Sequence, residues 1–482
     1  MRETDLLTTT SFYFFQNTRL KIMITVALDE STRLPLYEQL YRHIRLAIEG
    51  GTLKAGEKLP SKRKMADHLR VSLRTIENAY AQLAVEGYVE AVEKKAYYVR
   101  QLEQIVPGRI AAAPALKKAD EQSERYLFDL KTNKVSMADF PFSIWTRLMR
   151  ESLRNRDTSW LEPSHPQGNQ ALRQEIVHYL RQFRNMDVSV DQVILGAGSE
   201  YLLGLITELL PASTFGLEEP NYPKPAKILH SRKVLYEAFP MDDEGIRIDE
   251  LRNSRTSVVL VTPSHHFPLG TVMSVSRRMQ LLQWAASADD RYLIEDDYDS
   301  EFRFSLKPIP ALHSLDRNDK VIYMNTFTRT LAPSLRIAYL VLPRKLLARY
   351  SRELMFYACT VSEFEQMTLR SFLRGGYYER HLNRIRNIYK NRRDALLRIL
   401  GTLPDIEING KEAGLHLLIS AKGRLTEQEL IKLAGEHGVK VYGLSEYYLS
   451  APAETHTVIM GYAGYDAEEL KQAAGLLVQA WL

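Results

Sequence analysis

One cysteine among 482 residues, Cys359, leaves nothing to pair, so a disulfide framework and a thiolate metal cluster are both excluded. No run of eighteen apolar residues exists, and no membrane-spanning helix is expected. The first 22 residues lack the basic start and continuous apolar core of a signal peptide: Arg2, Glu3 and Asp5 precede only a short apolar patch at 12–15. Residues 1–22 read as a disordered extension or as the product of a start codon upstream of Met23, and the protein as cytoplasmic. Glycine (24) and proline (20) are too few for a collagenous or low-complexity chain, and 45% hydrophobic with 26% charged residues is globular composition. The length calls for two or three domains.

Residues 23–100 read as one unit. Pro35 opens a helix in which Leu36, Leu40, Ile44, Ala47 and Ile48 recur at helical spacing until Gly50-Gly51. Ser61 caps a second helix with Met65, Ala66 and Leu69. Ser72 caps a third, with Ile76, Ala79, Tyr80 and Leu83 on one face and Gly87 as its stop. Two β-prone runs follow, 88–92 and 97–99. Three helices and a hairpin make a winged helix-turn-helix pattern. Between Lys54 and Arg74, seven Lys and Arg stand against two acids, Glu57 and Asp67, so this window equals the whole net charge of +5. A solvated basic helix face has the same composition, but the order of elements directs the charge to DNA. In such a fold the second helix lies on the backbone and the third enters the major groove. Ser61, Lys62, Arg63, Ser72, Arg74 and Thr75 are therefore candidate contacts to phosphates and base edges, with Lys94, Lys95 and Tyr97 of the hairpin reaching a flanking groove.

The segment Gly56-Glu57-Lys58-Leu59-Pro60-Ser61-Lys62-Arg63, with 34–40, Glu77-Asn78-Ala79-Tyr80 and 83–87, resembles the head of GntR-type bacterial regulators over its whole length. Leu73 stands where that family carries Arg, with Arg74 beside it. Ala96 stands at the wing Gly, where a need for positive φ would cost stability.

Residues 101–124, with Pro107-Gly108 and no sustained period, read as a linker. From 125 to 482, apolar runs at 258–261, 292–294 and 321–323 alternate with amphipathic stretches such as 278–286. That alternation predicts an α/β body with a mainly parallel sheet and a smaller α+β part from about residue 390. Gly196-Ala197-Gly198-Ser199 joins an apolar run to an apolar helix, so its amides can face an anion; a plain tight turn is the alternative. Glu295-Asp296-Asp297-Tyr298 ends a strand, where ligands of parallel sheets gather, with helix capping as the competing role.

Together with Pro166-Gln167-Gly168, Pro220-Asn221-Tyr222, 262–270 and 326–339, these segments resemble fold-type I aminotransferases. With the head attached, nearly everything from 23 to 482 resembles the MocR/GabR subfamily of GntR regulators. The resemblance implies a fold-type I PLP-transferase-like domain that takes pyridoxal 5'-phosphate. Asp296 would pair with the pyridinium nitrogen, Tyr298 with the phenolic oxygen, and Tyr222 would cover the ring. Gly198, Ser199, Thr326, Thr328 and Arg336 would hold the phosphate. A domain-swapped homodimer on a double-stranded DNA operator with paired half-sites is implied as well.

Arg329 stands where the family carries its Schiff-base lysine. A guanidinium stays protonated and can neither bond the aldehyde nor take a proton, so no catalytic residue is assigned. Arg329 is left to pair with the cofactor or with a carboxylate such as Asp296, and Lys320 lies a strand away. Segment 457–462 lacks the Arg with which aminotransferases hold a substrate carboxylate, and Phe267 replaces the Asn that usually meets the phenolic oxygen. His265 and His266 read as structural histidines with their hydrogen bonds satisfied. The expectation is a DNA-binding transcriptional regulator whose body senses non-covalent pyridoxal 5'-phosphate or a related small-molecule effector. Two alternatives are a regulator with a repurposed pocket and an aminotransferase with an accessory head. No metal site is expected.

Overall fold

The computed structural model describes residues 23–29, 31–32, 34–92, 96–102, 126–154, 162–304, 310–423, 425–450 and 455–482. The extension 1–22, the hairpin residues Lys94 and Lys95, and nearly all of the stretch 101–124 lie outside the described residues. The chain divides into two compact units, Met1–Asp120 and Glu121–Leu482.

In the first unit α1 (Leu36–Glu49), α2 (Lys62–Leu69) and α3 (Leu73–Val85) precede β1 (Val89–Val92) and β2 (Ala96–Val99), which pair antiparallel with Val89 opposite Val99. Helices this short are marginal alone and depend on a shared core. Leu40, Ile44, Met65, Ile76, Tyr80 and Leu83 supply it. Each buried large apolar side chain contributes roughly 1.5–3 kcal/mol. The Ser61 hydroxyl accepts the Lys64 amide at 3.4 Å and the Ser72 hydroxyl accepts the Thr75 amide at 3.1 Å, so both serines cap their helices. The turn after α2 runs through Arg70 at φ 56°, a left-handed position commonly given to Gly. Ala96 has no positive φ; it opens β2, so the strain expected there does not arise.

The second unit opens with β3 (Phe128–Asp129), α4 (Phe142–Arg154) and α5 (Gln170–Arg184). Strands and helices then alternate through β4 (Val193–Gly196), α6 (Ser199–Leu209), β5 (Phe215–Glu219), α7 (Pro223–Ser231), β6 (Tyr236–Asp242), β7 (Gly245–Ile246) and α8 (Ile248–Arg252). The series continues with β8 (Val258–Val261), α9 (Val275–Ala286), β9 (Tyr292–Asp296), α10 (Leu312–Leu315), β10 (Val321–Thr326) and β11 (Ala338–Val341). These strands form one sheet in the order β4-β11-β10-β9-β8-β5-β6-β7. The run from β10 through β9, β8 and β5 to β6 is parallel throughout, with β11 and β7 antiparallel to their neighbours. Alternate residues of β8 part company: Val258 and Leu260 pack with α6 and α7, Val259 and Val261 with α9. Helices therefore cover both faces, which is why these strands read as continuous apolar runs. The mainly parallel α/β sheet expected from the sequence is present.

Helices α11 (Arg344–Glu353) and α12 (Glu363–Arg374) lead to the 24-residue α13 (Tyr377–Leu400), which carries the chain to a second sheet. Its elements are β12 (Ile406–Asn409), β13 (His416–Ala421), α14 (Glu427–Glu436), β14 (Val439–Lys440), β15 (Tyr442–Gly443), β16 (Thr457–Gly461) and α15 (Ala467–Trp481). The antiparallel order is β12-β13-β16-β15. This part also draws on the start of the unit, since β3 pairs parallel with β14, Phe128 opposite Val439. No helix among the described residues is long and apolar enough to cross a membrane.

Candidate functional site

The ends of β8, β9 and β10 and the loops beyond them wall a cavity of about 210 Å³, at the strand ends where parallel sheets collect ligands. All nine residues singled out for a cofactor line it. Among the acids at the end of β9, strand alternation divides the work. Glu295 turns into the core and accepts the amides of Leu312 and His313 at 2.7 and 2.8 Å, a capping role. Asp297 turns the same way, onto Arg184 at 2.9 Å and the Tyr323 hydroxyl at 2.5 Å. Asp296 faces the cavity. Burial, and then Asp297 and Asp299, push its carboxyl up to about 7, with Arg329 pulling the other way.

At the other end, Gly198 has φ 93°, and the space a Cβ would fill is taken by the Arg336 guanidinium. Ser199 begins α6, whose first amides carry the positive end of the helix dipole. The hydroxyls of Thr326 and Thr328 lie 2.7 Å apart. Arg336 is already engaged: it donates to the Ala197 carbonyl at 3.0 Å and to the Glu200 carboxylate. Lys224 donates to the other oxygen of Glu200 and, ahead of Arg336, holds that carboxyl below its ordinary range. Glu200 thus occupies the cations that would receive a phosphate. Neither Glu200 nor Lys224 was singled out in the sequence, because an acid and a lysine in the first turns of two helices are ordinary surface features. Lys224 is the only lysine lining the cavity among the described residues, and Glu200 raises its ammonium above the usual range.

Arg329 donates to the Thr132 carbonyl at 2.5 Å, with its guanidinium 6.0 Å from the Tyr298 ring centre. The expected ion pair with Asp296 does not form among the described residues; a backbone carbonyl from the segment after β3 takes the guanidinium instead. Lys320 sits at the opposite end of β10 and donates to the carbonyls of Ala288 and Asp289 at 2.7 and 3.0 Å, away from the cavity. The Tyr298 hydroxyl lies 3.1 Å from His265 Nδ1, which also meets Asp299 Oδ2 at 2.9 Å. Burial, followed by Asp299, raises that phenol well above its ordinary value.

The two histidines depart from expectation, since Nε2 of each has no hydrogen-bond partner among the described residues. His266 Nε2 stands 3.6 Å from Glu218 Oε2, and burial lowers its imidazole to about 3, so it is neutral at pH 7. Glu218 accepts the Thr262 amide and hydroxyl at 3.0 and 2.8 Å, while burial raises its carboxyl to about 7. Tyr222 is 38% exposed at the mouth, edge-on to the buried Phe267 at 5.8 Å. The cavity lining ends in the chain at Arg336, so 457–462 adds nothing to it; that segment is largely β16.

On the first unit, Ser61, Lys62 and Arg63 gather at the start of α2, and Ser72, Arg74 and Thr75 at the start of α3, all exposed or half-exposed. Lys62 lies 3.4 Å from Glu77 and 5.6 Å from the centre of the Tyr97 ring, which joins α2, α3 and the hairpin. Lys94 and Lys95 lie outside the described residues.

A winged-helix head and an aminotransferase-type body with a ligand-sized cavity define a transcriptional regulator with an aminotransferase-like domain. Residues 36–99 match the bacterial regulatory proteins of the gntR family, a DNA-binding class, and residues 127–477 match aminotransferase class I and II. The chain is 37% identical over 464 residues to the HTH-type transcriptional regulator YdeL of Bacillus subtilis, covering 95% of this chain and 99% of that protein. It is 29% identical over 450 residues to PdxR, the HTH-type pyridoxine biosynthesis transcriptional regulator of Corynebacterium glutamicum, covering 93% and 96%. Its fold is similar to that of the kynurenine aminotransferase of Pyrococcus horikoshii, with TM-score 0.65 and 24% identity over 74% of this chain and 91% of that one. At 31% identity over 474 residues, 95% of this chain and 96% of that protein, to the probable rhizopine catabolism regulatory protein MocR of Rhizobium meliloti, the chain belongs to the MocR-type HTH regulators, with a GntR head and an aminotransferase class I and II domain.

Proposed function

We propose that the body is a sensor and not a catalyst. It holds pyridoxal 5'-phosphate or a closely related effector without a covalent bond, and its ligand state biases how the heads of a homodimer meet paired half-sites on operator DNA. The observation that carries this reading is one cavity in which a glycine-serine helix start, the Asp296 carboxyl and Tyr222 converge while residue 329 is arginine. The fit is supported by Gly198, whose missing Cβ lets the Arg336 guanidinium lie against the loop, and by an Asp296 that has no ion pair among the described residues. The likeness to a regulator named for pyridoxine biosynthesis agrees with it.

Gly198, Ser199, Thr326, Thr328 and Arg336 would bind the phosphate, Asp296 would hold the proton of the ring nitrogen, and Tyr222 would cover the ring face. When bound, the cofactor supplies an aldehyde on an electron-withdrawing ring. Arg329 offers that aldehyde no amine and no base, and Lys224 is kept charged by Glu200, so neither supports transamination. On the head, the exposed starts of α2 and α3 would meet phosphates and base edges, with Lys94, Lys95 and Tyr97 alongside. Ligand binding moves the heads only if it favours one arrangement of the dimer.

A second reading, a pocket repurposed for another ligand, draws on one feature: Glu200 already satisfies Arg336 and Lys224. An absorbance titration with pyridoxal 5'-phosphate, repeated with borohydride and intact mass, separates the readings. Saturable binding without mass gain is the expected result. A covalent gain would place a lysine, Lys224 first, in the missing role and restore the aminotransferase reading; no binding would leave the repurposed pocket.

A further inference from the structure

Leu73 has no task in the reading above. It is the first residue of α3, directly after the cap Ser72, and is 41% exposed. Among the described residues it belongs neither to the head's buried core nor to the apolar side chains packed against that core. A lone exposed leucine is ordinary on a protein surface, and it is the position that gives this one a partner. Leu73, Arg74, Glu77 and Asn78, spaced i, i+1, i+4 and i+5, form an exposed face on the first two turns of α3. That is the part of a recognition helix which meets base edges in the major groove. Some of the polar groups there are already committed: the Ser72 and Thr75 hydroxyls lie 2.8 Å apart, and Glu77 lies 3.4 Å from Lys62. The Leu73 side chain carries no polar atom, so hydrogen bonding cannot be its means of selecting a base. Every base pair presents hydrogen-bonding groups in the major groove, and thymine alone adds an apolar one, its C5 methyl.

We propose that Leu73 reads thymine, its side chain packing on the C5 methyl of one thymine of the operator. The proposal rests on the DNA-binding role of the head and adds to it the identity of a base. Guanine or adenine at that place would set a polar edge against the leucine and strip water from groups that gain no partner in return. An arginine at the start of α3 would instead donate two hydrogen bonds to guanine, so this operator should differ at that base pair from the operator of a head that carries arginine there.

The test begins with the full-length protein and a randomised duplex library. The most enriched duplex is resynthesised with one thymine at a time replaced by deoxyuridine, which lacks only the methyl, and affinities are compared by fluorescence anisotropy. At one thymine, or at it and its symmetry mate, loss of the methyl is expected to weaken the wild type about fourfold, the worth of one buried methyl group. Leu73→Ala should bind the thymine duplex more weakly by at least that factor and be indifferent to uracil at that position. Leu73→Met, still apolar, should keep the preference, which also shows that the head tolerates substitution there. Indifference of the wild type to every methyl, or a preference at that position that persists in Leu73→Ala, would overturn the contact. Binding without enrichment of any sequence would overturn it too while leaving the DNA-binding role of the head standing, whereas no binding to any duplex would overturn both.

Discussion

Under the proposed function, Glu200 sets how readily the loop before α6 accepts a phosphate. Its carboxylate bonds both Arg336 and Lys224, so an incoming anion must displace a charge of its own sign. Glu200→Gln should tighten inorganic phosphate binding about tenfold in a calorimetric titration, roughly the loss of one charge-assisted contact; a weaker complex would show that Glu200 organises the loop for phosphate. Asp296 and Glu218 behave differently. Their carboxyls stand at about 7 against 3.8 and 4.5 for the ordinary groups. The folded chain keeps protons that the unfolded chain has released between those values, so each acid withdraws stability as pH rises through roughly 4 to 7. Asp296→Asn is expected to raise the body's Tm by about 2–5 °C at pH 8 and by little at pH 4, measured by calorimetry. An equal gain at both would deny the titration.

At the scale of elements, local chemistry decided most of what could be read in advance. The head helices start at Ser61 and Ser72 because those hydroxyls satisfy amides that no helix can satisfy internally. Ser72→Ala should lower the head's stability by about 1 kcal/mol in denaturant titrations. Arg63, exposed in the first turn of α2, makes no salt bridge among the described residues. Arg63→Ala should weaken binding to every DNA sequence alike and reduce the salt slope by about 1; a loss confined to one operator would contradict a phosphate role. Strand β9 runs to Asp296, so the apolar run 292–294 continues into the acids read as its end. Acidic residues disfavour strands in isolation, and flanking by β8 and β10 overrides that preference. The pairing of β3 with β14 left no trace, since a two-residue strand has no period to detect.

For the whole molecule, two compact units predict two unfolding events. Pyridoxal 5'-phosphate at a hundred times its dissociation constant should stabilise only the body's transition, by about 2.7 kcal/mol, in a calorimetric scan. Movement of the head's transition by the same ligand would instead report coupling between the units. The amino-acid sequence by itself determined the winged-helix order of the head, the α/β class of the body, the glycine-serine loop, the acids at the end of β9 and the arginine at 329. Those features are written in caps, periodicity and motif spacing, which act over a few residues. Tertiary structure alone decided where the side chains went. Arg329 reaches the carbonyl of Thr132, 197 residues earlier in the chain. Arg336 reaches Glu200, Tyr298 reaches His265, and the Asn221 amide and Glu218 Oε1 are left without a hydrogen-bond partner among the described residues. Such partners meet because crossovers carry distant strand ends to one edge of the sheet, and each side chain bonds whatever donor or acceptor the crossovers place beside it.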